Sequence, residues 1–136
     1  MEIKVYRKYN LKVPTWEKLL NNFNKSASNN KFIKHKCLGF FVSHEADEIP
    51  EVKKILKKFK LKAAHLYFNI TKVGGTFGRH NDIVDVYYWQ VQGTTKWVFD
   101  HKEIILRKGD LLFVPRLVYH DVVAEGPRAG ISMAHM

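Results

Sequence analysis

The chain has 136 residues and a net charge of +10, and 46% of its residues are hydrophobic and 13% aromatic. This length and composition predict one packed globular domain and argue against a disordered chain. Cys37 is the one cysteine, which excludes an intrachain disulfide scaffold and is typical of the reducing cytoplasm. The sequence contains no run of eighteen apolar residues, so no membrane-spanning helix is predicted. The segment MEIKVYRKYN lacks the apolar region of a signal peptide.

The positive charge is concentrated in the N-terminal part of the chain. Residues 1–60 carry 14 Lys and Arg against 6 Asp and Glu, whereas residues 61–136 carry 9 against 7. A basic surface of this kind can attract nucleic acid or another polyanion. The lysines are not interleaved with base-stacking aromatics and match no recognised binding module, so we interpret them first as a solvated face, with nucleic acid as the alternative.

The first 60 residues predict strands and two amphipathic helices. Residues 2–7 alternate as a strand does, and residues 15–23 place apolar side chains at helical spacing. A polar loop is predicted over 24–31, followed by a strand over 31–43 with a break at its glycine. Residues 50–60 form a second helix with an apolar stripe on one side and lysines on the other.

Beyond residue 60 the pattern changes to short strands separated by turn residues every eight to twelve positions. The strand-like segments are LKAAHLYFNITKV, VDVYYWQVQ, TKWVF, EIILR, DLLFVP, VYHDVVA and RAGISMA, with a GGTFG turn after the first. This spacing is typical of an antiparallel sandwich or barrel. We predict a mainly β jelly roll as a single domain over 1–136, in which 1–60 supply N-terminal strands and helices and 61–136 the barrel core.

Two histidines and an aspartate form the candidate metal site. His80 and Asp82 lie two residues apart before an apolar strand, and the period of a strand would put both on one face. His120 lies in the later segment VYHDVVA, which a jelly roll can bring beside them. Two histidines and one carboxylate on one face of Fe(II) leave three positions for substrate, cosubstrate and oxygen. The alternative for His120 is a hydrogen-bonded histidine at the barrel rim.

Two motifs resemble the JmjC-like cupin branch of the iron(II)- and 2-oxoglutarate-dependent oxygenases. HNDIVDVYYWQVQGTTKW is similar to a run of His-x-Asp-x-x-Asp-Val-aromatic followed by Gln, Gly and a basic-Trp pair, and GDLLFVPRLVYHDV is similar to the later Gly-Asp…Pro…His segment. The resemblance covers about residues 63–134. It implies a double-stranded β-helix, Fe(II) held by His80, Asp82 and His120, and hydroxylation coupled to conversion of 2-oxoglutarate and O2 to succinate and carbon dioxide.

The resemblance also implies a cation for the far carboxylate of 2-oxoglutarate. JmjC-like relatives carry a basic residue at the position of Thr95, whereas here Lys96 follows one residue later, on the opposite face of a strand. Prolyl-hydroxylase-like oxygenases use an arginine shortly after the distal histidine, which favours Arg128 over Lys96. The alternative for Arg128 is a surface arginine beside a Gly-Pro turn. Candidates for further hydrogen bonds to the cosubstrate are Tyr67, Asn69 and Ser132.

The remaining aromatic and acidic residues of these motifs are predicted to be structural. The aromatics are expected to fill the barrel wall, with one or two at the mouth: Tyr87, Tyr88, Trp89 and Trp97. Asp85 recurs in the family run, but no role follows for it from the sequence. His65 is expected to pack as a core or rim histidine.

Three functions follow as hypotheses. The first is an Fe(II)/2-oxoglutarate-dependent oxygenase, a hydroxylase. The second is a cupin enzyme that uses the metal without 2-oxoglutarate, as a dioxygenase or isomerase of a small acid, and the third is a non-catalytic cupin that binds a sugar or anion. The primary substrate stays open between a peptide or protein side chain, which the resemblance favours, and a small molecule. A homodimer is a further expectation from the cupin resemblance.

Overall fold

The computed structural model describes residues 2–28, 32–34, 40–70 and 77–135. The helices are α1 (Trp16–Ser28) and α2 (Pro50–Phe59), with a short 3-10 helix at Ala46–Glu48. The strands are β1 (Lys4–Tyr6), β2 (Phe32–Lys34), β3 (Phe40–Ser43), β4 (Ala63–Asn69), β5 (Val86–Gln92), β6 (Thr95–Val98), β7 (Glu103–Leu106), β8 (Leu111–Val114), β9 (Asp121–Ala124) and β10 (Arg128–Ala134). Cys37, Gly39 and most of the predicted GGTFG turn lie outside the described residues.

The strands form two antiparallel sheets. The larger sheet has the order β1-β8-β5-β10-β4-β3-β2, and the smaller has the order β7-β6-β9. The predicted mainly β jelly roll with two N-terminal helices is therefore confirmed. The strand that follows the His-x-Asp motif, β5, pairs with β8, which lies between Asp110 and Pro115. Strands β5 and β8, one from each sequence motif, are thus neighbours in the sheet, although 18 residues separate them in the chain.

The larger sheet has a helical layer on one side and a cavity on the other. Along β10, three alternate residues pack into the core shared with the helices: Ala129, Ile131 and Met133. The residues between them face the opposite way, and Arg128 and Ser132 line the cavity. This follows from the two-residue period of a strand, which presents successive side chains to opposite faces.

The two helices cover the sheet with apolar stripes. Leu19 of α1 and Val52 and Ile55 of α2 are almost completely buried in this core, whereas the lysines of α2 are exposed. Pro50 opens α2, where its missing N–H costs no intrahelical hydrogen bond. Neither described helix is long and apolar enough to cross a membrane.

Two N-terminal predictions were wrong. Helix α1 continues to residue 28, so residues 24–28 of the predicted polar loop are helical. Packing of Phe23 against Phe68, with ring centroids 4.9 Å apart, supports this extension more than the weak propensity of Asn and Ser opposes it. The strand predicted over 31–43, with a break at its glycine, is instead two strands, β2 and β3, that pair with each other. The predicted break did not indicate that the second part folds back on the first.

Asp110 joins the N-terminal segment to the barrel. Its Oδ1 accepts a hydrogen bond from the backbone N–H of Lys8, and its Oδ2 accepts from the N–H of Arg107 and from Arg7 Nη1. Burial on its own raises the pKa of Asp110, but the three donors outweigh this and hold the pKa below its usual range. The Gly-Asp turn of the second motif is therefore a structural tie between β1 and the β7–β8 turn.

Candidate metal centre and anion site

His80, Asp82 and His120, called the triad from here on, come together at the cavity. One possible ligand atom from each lies within 4.8 Å of the others. The Asp82 carboxylate lies 3.9 Å from His80 Nε2 through Oδ1 and 3.6 Å from His120 Nε2 through Oδ2. Adjacent donors on an octahedral metal, each about 2.1 Å from it, lie about 3 Å apart. The side chains are therefore close to an arrangement that could ligate one cation.

A single two-residue bridge aligns the two histidines. His80 N–H donates to His120 O at 2.9 Å, and His120 N–H donates to His80 O at 2.8 Å. Neither residue lies in a regular strand, because β5 begins at Val86 and β9 begins at Asp121. We predicted that His120 lies on the strand of the VYHDVVA segment and that strand alternation aligns His80 with Asp82. Both predictions were therefore wrong in detail. The bridge between segments performs the alignment instead.

Hydrogen bonds from the segment after His80 fix the turn before His120. The Asp82 carbonyl accepts from Leu117 N–H at 2.7 Å, and Asp85 Oδ1 accepts from Arg116 N–H at 2.8 Å. Leu117 has a φ of 66°, a left-handed conformation that costs a leucine free energy. Asp85 thus has a role that the sequence did not assign, and its recurrence in the family run was the one available signal.

Backbone carbonyls orient both imidazole rings. His80 Nδ1 lies 2.8 Å from Gly78 O and His120 Nδ1 lies 3.0 Å from Val118 O. A carbonyl accepts only from a protonated Nδ1, so these contacts favour the tautomer with a free Nε2 lone pair facing Asp82. Burial lowers the pKa of His120, which keeps its ring neutral and able to ligate a metal.

The triad opens onto a mainly apolar cavity of about 410 Å³. Trp97 stacks on His120 with ring centroids 5.1 Å apart, and Phe77 meets His80 edge-on at 5.9 Å. The lining also includes Phe40, Tyr67, Gly78, Val86, Tyr88, Val114, Val122, Arg128 and Ser132. Of the aromatics expected in the barrel wall, Tyr88 and Trp97 line this cavity.

Arg128 is a buried cation in the same cavity. It is 2% exposed, so it is no surface arginine. Its Nε donates to Asn69 Oδ1 at 2.6 Å, its Nη1 donates to the Tyr88 hydroxyl at 2.7 Å, and its guanidinium lies 5.6 Å from the Phe40 ring centroid. No carboxylate of the described residues forms an ion pair with it.

Tyr88 is the site residue that sequence reasoning missed. Its hydroxyl lies directly over Gly130 of the neighbouring strand, where a Cβ atom would approach the hydroxyl oxygen to 1.7 Å. Burial raises the pKa of Tyr88, so the phenol stays protonated. A glycine inside a strand often marks a close approach of another group, and Gly130 was the signal that could have identified this contact.

The other cosubstrate candidates separate into two groups. Tyr67 and Ser132 line the cavity and share a hydrogen bond, and burial raises the pKa of Tyr67 to about 12. Asn69 lies behind Arg128 as its acceptor. Lys96 is absent from the cavity lining and lies on β6 opposite Ile105 and Val123, which are both exposed. Its side chain therefore faces away from the triad, as strand alternation predicts.

Comparison with solved structures identifies the fold. No protein-family model matches the chain, and no curated protein matches it. The ribosomal oxygenase YcfD from Escherichia coli superposes with a TM-score of 0.73 and 16% identity over 96% of this chain and 46% of that chain. A cupin superfamily protein from Desulfitobacterium hafniense has a TM-score of 0.56 and 17% identity, covering 76% of this chain and 84% of that chain.

A further similar structure is salicylate 1,2-dioxygenase from Pseudoaminobacter salicylatoxidans, with a TM-score of 0.61 and 14% identity over 90% of this chain and 32% of that chain. The chain spans about half the length of the YcfD structures it matches. At these identities the likeness concerns the fold. The chain therefore has the cupin fold, the double-stranded β-helix of the JmjC-like oxygenases.

Proposed function

We propose that this protein is an Fe(II)- and 2-oxoglutarate-dependent oxygenase that hydroxylates its substrate. The observation that carries the proposal is the buried cation of Arg128, which lies in the same cavity as the triad and forms no ion pair with a carboxylate of the described residues. A buried charge is destabilising unless an opposite charge compensates it. Asn69 and Tyr88 are neutral partners, so the missing component of this site is an anion.

The triad fits a divalent iron. Two imidazole nitrogens and one carboxylate oxygen are the donor set of many non-haem iron oxygenases, and this set leaves coordination positions open. Bound there, the iron would supply the activation of O2. The chain itself holds the Nδ1 protons on Gly78 and Val118 carbonyls and directs the Nε2 atoms toward the metal position.

The anion we assign to Arg128 is the far carboxylate of 2-oxoglutarate. This molecule carries a carboxylate at each end, so one end can reach the triad while the other reaches a cation within the same cavity. Arginine is suited to the second task because its planar fork pairs with a carboxylate through two hydrogen bonds. The Tyr67 and Ser132 hydroxyls line the same space and can donate further hydrogen bonds.

The apolar lining would protect the reaction from water. Trp97 and Val122 come from the smaller sheet and Tyr88 and Val114 from the larger one, and all four line the cavity. Removing water strengthens electrostatic interactions within the site and prevents side reactions of reactive species. The remaining apolar space beside the triad is where we place the target C–H bond.

The proposal is tested by anaerobic titration of the protein with Fe(II) and 2-oxoglutarate, followed through the weak visible charge-transfer band of the chelate. We expect the band in the wild type. In Arg128→Ala the affinity for 2-oxoglutarate should fall by about 30-fold or more, because loss of one partner of a buried charge pair costs at least about 2 kcal/mol. The affinity for Fe(II) should be unchanged.

The matched control is Arg79→Ala, which removes an exposed arginine paired with Asp100. It should keep wild-type 2-oxoglutarate binding. Absence of both the band and succinate formation in the iron-loaded wild type would contradict the proposal. Equal binding by wild type and Arg128→Ala would remove Arg128 from the role of anchor.

A second candidate is a dioxygenase or isomerase of a small carboxylic acid that binds Arg128 directly, without 2-oxoglutarate. The aromatic cavity around a buried arginine favours an acid with an apolar body, and salicylate 1,2-dioxygenase is among the structures with this fold. Metal-dependent turnover of small acids in the absence of 2-oxoglutarate would distinguish it. Failure to retain iron, cobalt or nickel after reconstitution would favour a non-catalytic cupin.

For the primary substrate, we propose a peptide or protein side chain, and for the compartment, the cytoplasm. The motif resemblance supports the first, and the single cysteine supports the second. YcfD is a ribosomal oxygenase, and this chain spans less than half of it. Screening the iron-loaded protein against a peptide library for 2-oxoglutarate-dependent gain of one oxygen mass tests the substrate class.

A further inference from the structure

Lysines and tyrosines form a patch on the surface made by the N-terminal segment and α2. The lysine–tyrosine patch consists of Tyr6, Lys8, Tyr9, Lys12, Lys54 and Lys58. Four of these residues line a cleft of about 710 Å³, together with Asn10, Leu11, Lys18, Pro50 and Glu51. The fold therefore gathers residues as far apart in the sequence as Lys8 and Lys54 into one basic depression.

Ion pairing leaves the patch strongly positive. Glu51 is the one acidic residue lining the cleft, and Lys18 neutralises it with an Nζ–Oε2 distance of 3.0 Å. None of the four patch lysines forms an ion pair with any described residue. Three further lysines of the same region are exposed: Lys53, Lys57 and Lys60. Such an uncompensated field attracts a polyanion.

Aromatic rings accompany these cations. Tyr6 is 37% exposed, and its ring meets the half-buried Tyr9 ring edge-on at 6.4 Å. Lys58 Nζ lies 5.3 Å from the Tyr9 ring centroid. Phe59 is the one aromatic residue among the lysines of α2, and folding adds Tyr6 and Tyr9 from β1 and the segment that follows. A surface that combines cations with aromatic faces suits a strand with charged phosphates and unstacked bases.

We propose that the lysine–tyrosine patch binds single-stranded nucleic acid. The patch lysines contact phosphates, and the exposed ring of Tyr6, supported by Tyr9, provides a face for an unpaired base. A duplex fits this surface less well, because its bases are already stacked on one another. An acidic protein could satisfy the lysines but would gain nothing from the aromatic rings.

The patch lies on the opposite side of the larger sheet from the cavity. Val52 and Ile55 of α2 pack on the sheet face that carries Ile131, whereas Arg128 and Ser132 face the cavity. A bound strand would therefore leave the cavity open. The role we assign to the patch is to hold the protein on a nucleic-acid-containing partner, and this role is independent of the proposed oxygenase activity.

The test measures fluorescence anisotropy of labelled 12-mer poly(U) and poly(dT) at several KCl concentrations. Lys54→Gln/Lys58→Gln removes two phosphate contacts, and the control Lys96→Gln/Lys102→Gln removes two lysines at the smaller sheet. At about 0.15 M salt the patch variant should bind about 15-fold more weakly, with a salt slope reduced by about 1.4. The control should bind as the wild type does. Binding to either oligonucleotide supports the proposal, and binding to neither overturns it.

Tyr6→Leu tests the aromatic contribution. It should weaken binding at least about fivefold while leaving the salt slope unchanged, since stacking involves no counterion release. Equal affinity for polyglutamate or for duplex DNA would overturn the proposal, as would equal losses in the patch and control variants. Asp82→Asn, which changes a candidate metal ligand, should keep nucleic-acid binding. A failure of the nucleic-acid proposal is therefore distinguishable from a failure of the oxygenase proposal.

Discussion

Tyr88 links the barrel wall to the buried cation of the cavity. Its ring packs on Trp97 with centroids 4.8 Å apart, and its hydroxyl accepts a hydrogen bond from Arg128 Nη1. The guanidinium is therefore held by Tyr88 on one neighbouring strand and by Asn69 on the other. Orientation of Arg128 depends on both neighbours, since no described acidic residue pairs with it.

We predict that Tyr88→Phe weakens 2-oxoglutarate binding about tenfold, because a buried N–H of Arg128 loses its acceptor, at a cost of about 1–3 kcal/mol. Packing of the ring is retained, so Fe(II) affinity should stay within about twofold of the wild type. Titration of each ligand measures the two effects. Tyr87→Phe is the control, because Tyr87 stacks on Phe59 outside the cavity.

Single residues were predictable where a local rule applied. Strand alternation separated Lys96 from the site, whereas Arg128, which lies in the cavity, was favoured by the resemblance to prolyl-hydroxylase-like oxygenases. The contact between Tyr88 and Arg128 joins residues 40 apart and requires the empty space above Gly130. No periodicity within one strand encodes such a contact, so it became visible only with the strand order.

Among the elements, two short segments carry the candidate metal site and are joined by few hydrogen bonds. The segment around His80 and the turn before His120 meet through their two-residue bridge, the Leu117–Asp82 bond and the Arg116–Asp85 bond. Among the described residues of the His-x-Asp-x-x-Asp run, Asn81 Nδ2 donates to Leu117 O at 3.5 Å, and Asp85 makes the shorter side-chain hydrogen bond to this turn. It touches no ligand position and would act through His120.

We predict that Asp85→Ala lowers the affinity for Fe(II) or Co(II) about tenfold, because the groups that orient metal ligands typically contribute 10- to 100-fold. Isothermal titration with Co(II) measures the change. Asp47→Ala removes an exposed carboxylate far from these segments in the sequence and is the control. Equal losses in both variants would contradict a specific role for the turn.

Asp110 should make the attachment of β1 sensitive to acid. Its folded-state pKa is below the ordinary value, so its contribution to stability is complete above about pH 4 and is lost as pH falls through the folded-state pKa. Asp110→Asn should lower the free energy of unfolding by about 2 kcal/mol at pH 7, because buried donors lose their acceptor. The difference between variant and wild type should shrink at pH 2.

Urea unfolding at pH 7 and pH 2 measures the free energy of unfolding of Asp110→Asn and of the wild type. Asp100→Asn is the control for an exposed carboxylate. The control should change stability little at either pH. A deficit in Asp110→Asn that is constant between pH 7 and pH 2 would show that the ionised carboxylate is not the stabilising species.

The sequence predicted the elements of the barrel better than those before it. Every strand after residue 61 was expected, because each short apolar run is bounded by turn residues. The pairing of β2 with β3 was missed because segment 31–43 has one glycine as its only interior turn residue, and the end of α1 was missed because Asn and Ser are weak helix formers. Tertiary packing decided both.

For the whole molecule, metal binding should add to the stability of the fold. The triad joins two segments that meet only in the folded state, so an ion at 100 times its dissociation constant should stabilise the protein by about 2.7 kcal/mol. Thermal unfolding with and without Co(II) measures this. Asp82→Ala should abolish the increase, whereas Asp47→Ala should retain it. An increase that persists in Asp82→Ala would place the bound ion elsewhere.

The position of β10 has a consequence for metal exchange. This strand carries Arg128 and pairs along both edges in the middle of the seven-stranded sheet, whereas the histidines meet at an isolated bridge outside the regular strands. Separating that bridge exposes the metal position without opening the sheet. A chelator should therefore strip the metal at a rate that is nearly independent of denaturant and much faster than global unfolding, while amides of β10 stay protected from hydrogen exchange.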